Sequence, residues 1–281
     1  MLLSIIIVNY KTGPLTKMLV ESLLTQTEAE GERLTLKNCP VKRDKGVEII
    51  VVDNDSRDDS IHLLQSDFPE ITMIETGKNL GFAGGVNTGI RAAQGRYYLI
   101  LNPDMVALPG ALVNLVGYME ANPNVGMVGG KLLSPNGDVQ QSCFRFYRPA
   151  TIVYRRTPLG KTRAGQRELN RFVMEDFDRS EVRDVDWLQG SCMMARSRAV
   201  QEVGVMDERF FMYFEDVDWC RRFWEAGWRV SYVPEGQLSH FHQRSSEKGS
   251  LLGILFNWAT REHIKSAIKY FLKYRGKKLP R

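Results

Sequence analysis

Short apolar runs that end in polar residues constrain the fold of this chain more than any other feature of its sequence. They occupy residues 3–8, 47–52 and 97–101. Because they are apolar at almost every position, they are typical of strands buried on both faces of a sheet. Segments with helical spacing lie between them, at residues 15–24, 56–65 and 83–94. The order predicts an open α/β fold with a mostly parallel central sheet flanked by helices.

The second half of the chain continues this alternation less regularly. It predicts helices at 111–121 and 215–226, and strands at 126–133, 184–196 and 229–233. The charged stretch 27–46 is interpreted as a surface insertion, and the polar stretch 135–183 as a mobile loop or a flap. Residues 250–274 have a helical pattern that ends in basic residues.

Composition excludes several classes of protein. The chain has 281 residues, of which 43% are hydrophobic and 25% charged, so it is long enough for a large core and is neither disordered nor fibrous. The net charge of +5 permits phosphates, acidic lipids or nucleic acid as partners. No run approaches the ~20 apolar residues of a membrane-spanning helix. The short apolar start lacks a basic leader and is interpreted as a strand.

The cysteines indicate a reducing compartment. They are Cys39, Cys143, Cys192 and Cys220, far apart and without a CxxC pair. This spacing favours free thiols in a cytoplasmic protein over a disulfide framework or a zinc site.

Carboxylates follow two of the apolar runs. Asp53 ends the second run, where open α/β sheets bind ligands, and can accept a hydrogen bond from a pyrimidine base or a ribose hydroxyl. Ser56 is instead expected to cap the next helix. Asp104 lies beyond the third run and suits Mg²⁺ or Mn²⁺, which take oxygen ligands and share them with phosphates. A plain Asn-Pro-Asp turn is the alternative for Asp104.

A glycine-rich segment, residues 77–87, precedes the third helical pattern. Glycines there allow the backbone to approach a ligand, and a helix N-terminus can meet a diphosphate. The first strand-to-helix turn, residues 9–14, lacks the GxGxxG fingerprint, which argues against a dinucleotide oxidoreductase.

Taken together, these motifs resemble those of family 2 glycosyltransferases with a GT-A fold, and especially the bacterial rhamnosyltransferase-like branch. The matching segments are SIIIVNY (4–10), VVDNDS (51–56), NLGFAGGVN (79–87), LNPD (101–104), WLQG (187–190), FMYFEDVD (211–218) and His240. They span residues 4 to about 246 in the family's order. The family usually has Asp-x-Asp where this chain has Asn102 and Asp104, which leaves Asp104 as the main carboxylate ligand.

The resemblance implies roles for individual residues. Asp216 is the expected base, with Glu215 as the alternative, and Asp104 and His240 are the expected metal ligands. Imidazole is a good ligand for Mn²⁺, whereas a solvent-exposed histidine is the alternative for His240 and the favoured interpretation of His242. Trp187 and Gly190 are expected on the acceptor side, although a core tryptophan is equally consistent. Residues expected to contact the nucleotide sugar are Asn9, Tyr10, Asp53, Asn79, Gly81, Asn87, Asn102 and Arg244.

The resemblance also implies the domain organisation. Residues 1–249 form one catalytic domain, with a nucleotide-binding half (1–106) and an acceptor-side half (107–249). A basic helical tail, residues 250–281, follows. The tail is expected to dock on the domain, form a homodimer contact or lie on an anionic membrane at the inner face of the cell.

The implied reaction is inverting sugar transfer from a nucleotide diphosphate to a hydroxyl of a saccharide or lipid-linked saccharide, in cell-surface polysaccharide synthesis. L-rhamnose from dTDP-rhamnose is the first expectation for the donor, and a UDP-linked sugar is the second. The rival functions are a nucleotidyltransferase and a non-catalytic protein that binds sugar nucleotides or membranes. No nucleic-acid partner is expected.

Overall fold

A computed structural model describes residues 1–31, 33–41, 44–241 and 258–281. The strands are β1 Leu3–Asn9, β2 Thr27–Glu30, β3 Arg33–Leu36, β4 Gly46–Asp53, β5 Thr72–Glu75, β6 Tyr97–Leu101, β7 Met105–Ala107, β8 Val125–Leu133, β9 Cys143–Phe144, β10 Arg183–Asp184, β11 Trp187–Leu188, β12 Cys192–Arg196 and β13 Arg229–His240. The helices are α1 Gly13–Leu24, α2 Ser60–Asp67, α3 Gly81–Ala92, α4 Ala111–Ala121, α5 Pro149–Arg156, α6 Arg163–Val173, α7 Ser197–Val203, α8 Glu215–Glu225 and α9 Trp258–Lys273. Within these ranges, no helix combines the length and apolar character needed to cross a bilayer.

The central sheet is mixed rather than mostly parallel. Its order is β10-β13-β8-β12-β6-β1-β4-β3-β2, with β5 beside β4 and β7 beside β13. Strands β6, β1, β4 and β5 are parallel, as expected for strands joined by helical crossovers. Strand β12 lies between β6 and β8 and is antiparallel to both. The parallel arrangement that the sequence predicts is therefore only part of the sheet.

The continuous apolar runs serve two cores, one on each face of the sheet. In β1, Ile5 and Ile7 pack into one core, and Ile6 and Val8 pack into the other. Alternate residues of a strand point to opposite faces, so a strand covered on both sides must be apolar throughout. The predicted α/β architecture flanked by helices is confirmed.

The segments outside the regular alternation fold differently from the predictions. Stretch 27–46 includes the β2–β3 hairpin, which extends the sheet edge next to β4. Stretch 135–183 contains α5, a 3₁₀ turn at Pro158–Lys161 and α6, so it is not the irregular loop that one alternative predicted. The predicted strand 184–196 is broken into β10, β11 and β12. Strand β13 is longer than predicted and runs on to His240.

The tail helix α9 docks on the body of the molecule. Lys273 Nζ contacts Asp218 Oδ1 at 2.5 Å, and Tyr274 Oη donates to the same oxygen at 2.8 Å. Ser266 Oγ donates to the backbone oxygen of Met212 at 2.9 Å. Asp218 is fully buried, so the third acid of the FMYFEDVD segment anchors the tail.

Candidate functional site

Strand pairing brings Asp104 and His240 together. The end of β13 pairs with β7, with His240 opposite Met105, so the last residue of a long strand lies beside the turn that contains Asp104. Phe241 donates its backbone N–H to the backbone oxygen of Asp104 at 2.9 Å. His240 Nε2 then lies 3.5 Å from Asp104 Oδ2. His240 is buried, and the exposed-histidine alternative is therefore wrong for it.

Gln140 fixes the orientation of the His240 ring. Its Nε2 donates to the backbone oxygen of His240 at 2.9 Å and to Ser134 Oγ at 3.0 Å, so its Oε1 is the atom 2.7 Å from His240 Nδ1. An amide oxygen only accepts, so Nδ1 carries a proton and Nε2 is the ring nitrogen that faces Asp104. Metal-binding histidines are commonly held this way by a hydrogen bond to their second nitrogen. No motif in the sequence marked Gln140.

The chemistry of this pair fits a divalent cation. A carboxylate oxygen and an imidazole nitrogen converge, and Mg²⁺ or Mn²⁺ commonly completes its coordination with water and substrate phosphates. Within the described ranges no three acidic, histidine or cysteine side chains cluster as metal ligands.

Asp216 and Glu215 begin helix α8 in an apolar environment. Burial raises the pKa of Asp216 to about 6. Hydrogen bonds from the backbone N–H groups of Val217 and Gly190 lower this pKa, but burial has the larger effect. Burial, followed by the neighbouring Asp216 charge, raises the pKa of Glu215 well above its usual value. Glu215 Oε2 is buried without a hydrogen-bond partner. Asp216 is thus the acid that is ionised at neutral pH, which a base requires.

The backbone around Asp216 is specialised. Tyr213 and Phe214, the two residues before the acids, both have φ of 69° in the left-handed region, which non-glycine residues adopt at a cost of about 1–3 kcal/mol each. The N–H of Gly190 donates to Asp216 Oδ2 at 3.1 Å. Ser191, the residue after Gly190, accepts at its backbone oxygen a hydrogen bond from the backbone N–H of Asn102 at 3.0 Å. The segment that holds Asp216 is therefore bonded directly to the turn that contains Asp104.

One cavity of about 1320 Å³ joins His240 to Asp216. Its wall includes the aromatic residues Phe144, Tyr147, Phe172 and Trp187 and the α5 residues Arg155 and Arg156. Trp187 stacks on Phe144 at 4.4 Å between ring centroids and is mostly buried, so core packing explains much of this tryptophan. Its contact with an acceptor stays a prediction.

Asn9 and Asp53 are paired at the ends of neighbouring parallel strands. Asn9 Nδ2 donates to Asp53 Oδ2 at 2.8 Å, and the N–H of Ser56 donates to Asp53 Oδ1 at 2.9 Å. Ser56 therefore does not cap α2, which begins at Ser60. Asp53 is only 2% exposed, so the structure shows it organising the turn, and its contact with a base stays a prediction.

Asn54, which sequence reasoning passed over, connects this turn to the glycine-rich segment. Its Nδ2 donates to Asn79 Oδ1 at 3.2 Å and to the backbone oxygen of Gly81 at 3.1 Å. Gly81 has φ of +73°, and a Cβ there would lie 2.2 Å from the backbone oxygen of Phe211. The glycine thus permits close contact with the loop that contains Phe211. Contact of Asn79 and Gly81 with a ligand stays a prediction.

The remaining predicted contacts lie in diverse surroundings. Tyr10 is exposed beside the end of β1, whereas Asn87 is fully buried and bonds to Met206 and Glu208. Asn87 therefore joins α3 to the loop between α7 and α8, and its buried side chain has no free surface for a ligand. Arg244 and His242 lie outside the described residues.

Sequence comparisons place this chain in a known family. The family model "Glycosyl transferase family 2" matches residues 4–203. An N-acetylglucosaminyl-diphospho-decaprenol L-rhamnosyltransferase of Mycobacterium tuberculosis is 29% identical over 257 residues, which cover 87% of this chain and 77% of the relative. The rhamnosyltransferase WbbL of Escherichia coli is 35% identical over 91 residues, 32% of each chain.

Solved structures share the fold at low identity. A mannosyltransferase of Pyrobaculum calidifontis, in complex with GDP-Man and Mn²⁺, has a TM-score of 0.56 and 17% identity, covering 99% of this chain and 76% of that one. TarS of S. aureus, residues 1–349 in complex with UDP, has a TM-score of 0.55 and 16% identity. The match covers 85% of this chain and 60% of that one. With a family match over most of its length and a GT-A-like architecture, the chain belongs to glycosyltransferase family 2.

Proposed function

We propose that this chain is an inverting glycosyltransferase that moves a sugar, L-rhamnose from dTDP-rhamnose as the first candidate, to a hydroxyl of a saccharide or lipid-linked saccharide. The observation that carries the proposal is a single cavity lined by His240 and Asp216, with Asp104 beside His240. The name of the mycobacterial relative, a rhamnosyltransferase with a diphospho-decaprenol acceptor, supports both the sugar and the acceptor class. A UDP-linked sugar is the second candidate, because TarS was solved with UDP.

In this proposal Asp216 accepts the proton of the acceptor hydroxyl as its oxygen attacks the anomeric carbon. The bond between that carbon and the diphosphate oxygen breaks, and the nucleoside diphosphate leaves from the opposite side, so the configuration inverts. A divalent cation held by Asp104 and His240 would neutralise the charge that grows on the leaving group. Gly190 keeps the Asp216 carboxylate in place through its N–H.

We also propose peripheral contact between α9 and an anionic membrane. Ile264, Ile268 and Leu272 follow helical spacing on the outer face of the docked helix and are exposed, Ile268 by 55% and Leu272 by 64%. Exposed Arg261 and Lys265 lie on the same face, which gives it the charge that acidic lipids attract.

The donor site is tested by a thermal-shift panel of dTDP, UDP, GDP and NAD, each with and without Mn²⁺. A ligand present at about 100 times its dissociation constant stabilises the native state by about 2.7 kcal/mol, which raises the melting temperature by about 5 °C. We expect that rise with dTDP or UDP only when Mn²⁺ is present. Stabilisation by NAD alone, or by no nucleotide, would contradict the proposal, and an assay of sugar transfer from dTDP-rhamnose then tests the donor.

A further inference from the structure

Two adjacent arginines on the cavity wall have no carboxylate partner among the described residues. Arg155 and Arg156 form the end of α5, and both line the cavity that contains Asp216. Arg155 donates to Tyr147 Oη at 2.6 Å, and its guanidinium lies 5.2 Å from the ring centroid of Phe172. These contacts orient the side chain without neutralising its charge.

Two other arginines of the same helical hairpin are paired. Arg148 and Arg171 both contact Glu168, at 3.4 and 2.6 Å. Arg163 and Arg167 on α6 also have no carboxylate partner among the described residues, but neither lines the cavity. Cations at the C-terminal end of a helix gain a little from its dipole, and that gain alone does not explain a like-charged pair facing a cavity.

The electrostatics of the cavity point the same way. Burial, and then repulsion from Arg155, lowers the pKa of Arg156. Burial and the same two cations lower the pKa of His263, another cavity residue, to about 3, so this histidine is neutral. A cavity wall with uncompensated positive charge is complementary to an anionic ligand.

We propose that Arg155 and Arg156 bind a phosphate or diphosphate group of the acceptor. This inference rests on the proposed glycosyl transfer, since it assigns the cavity beside Asp216 to the acceptor. The donor's own diphosphate is the other source of the same chemistry. A divalent cation held by Asp104 and His240 would match the charge of that diphosphate, however, and would leave the arginines for a second anion. The aromatic residues around them suit the sugar or prenyl groups next to such a phosphate.

The test uses geranyl diphosphate as the probe and geraniol as its uncharged counterpart, titrated calorimetrically into the full chain without metal. We expect the wild type to bind the diphosphate more tightly than the alcohol. The double variant Arg155→Ala/Arg156→Ala should weaken diphosphate binding at least about tenfold, since hydrogen bonds to charged groups contribute about 1.5–3 kcal/mol. Arg156→Gln, which keeps most of the side chain, should give a smaller loss.

The matched control is Arg167→Ala, which removes the same charge from the exposed face of α6. It should leave probe binding unchanged. Binding of dTDP with Mn²⁺, measured in the same samples, reports the donor site separately and should stay within about twofold in every variant. Equal binding of both probes, no binding, or an unchanged affinity in the double variant overturns the proposal. Loss of dTDP binding also overturns it and assigns the arginines to the donor.

Discussion

Asp216 titrates where a base can work at neutral pH, because burial raises its pKa to about 6. The transfer rate should therefore fall about tenfold per pH unit below 6 and level off above 7. Asp216→Asn should lose about 10²–10⁴-fold in rate while dTDP binding persists. Glu215→Gln should retain a measurable rate, since burial keeps Glu215 largely protonated. The opposite ranking of the two variants would assign the base to Glu215.

The same two carboxyl groups affect stability. Their pKa values in the folded state lie above the unfolded values, so the native state binds more protons. The free energy of unfolding should therefore decrease as pH rises from about 4 through 6. Asp216→Asn should remove part of this pH dependence of stability. Urea unfolding at pH 5 and pH 7 measures the dependence, and the same curves show whether the variant folds.

Gln140 is predicted to position His240 for a metal. Gln140→Leu removes the acceptor at Nδ1 and should weaken Mn²⁺ binding in the presence of a nucleoside diphosphate by about 10–100-fold. Electron paramagnetic resonance of free Mn²⁺ measures this without turnover. Gln140→Glu keeps an acceptor oxygen and should restore much of the affinity. A folded Gln140→Leu protein with wild-type Mn²⁺ affinity would show that the glutamine is only structural.

At the scale of elements, α9 has two faces with different tasks. Its inner face is fixed by Asp218, which accepts from Lys273 and Tyr274, so docking explains why the helix is part of the body. Its outer face has exposed apolar residues between basic residues. Docking of the inner face does not explain why these apolar residues are exposed.

For the outer face, Ile268→Glu should reduce co-sedimentation with phosphatidylglycerol vesicles several-fold, since it replaces an apolar contact by a repelled charge. Leu159→Glu, which likewise replaces an exposed apolar residue by glutamate but lies outside α9, is the control. Neutral phosphatidylcholine vesicles should bind weakly. If the variant instead converts a dimer to a monomer in light scattering and vesicle binding is unchanged, the face is a homodimer contact.

Whole-molecule comparison shows where sequence reasoning succeeded. Helix α4 has the predicted bounds, and β1, β4 and β6 lie where apolar runs predicted them, because local periodicity follows directly from burial. The mixed sheet was missed because the direction of β12 depends on pairing across about ninety residues, which no local pattern encodes. Helices α5 and α6 were missed because their polar, arginine-rich segments resemble a loop.

The sequence by itself determined the family motifs, the doubly buried strands and the identity of the acids, since these depend on residue type and short spacing. Only the tertiary structure decided which side chains meet. It extended β13 so that His240 reaches Asp104, placed Gln140 behind the imidazole, and buried Glu215 and Asp216 enough to separate their protonation states. The physical reason is that pKa values and ligand geometry depend on neighbours that are distant in the chain and adjacent only after folding.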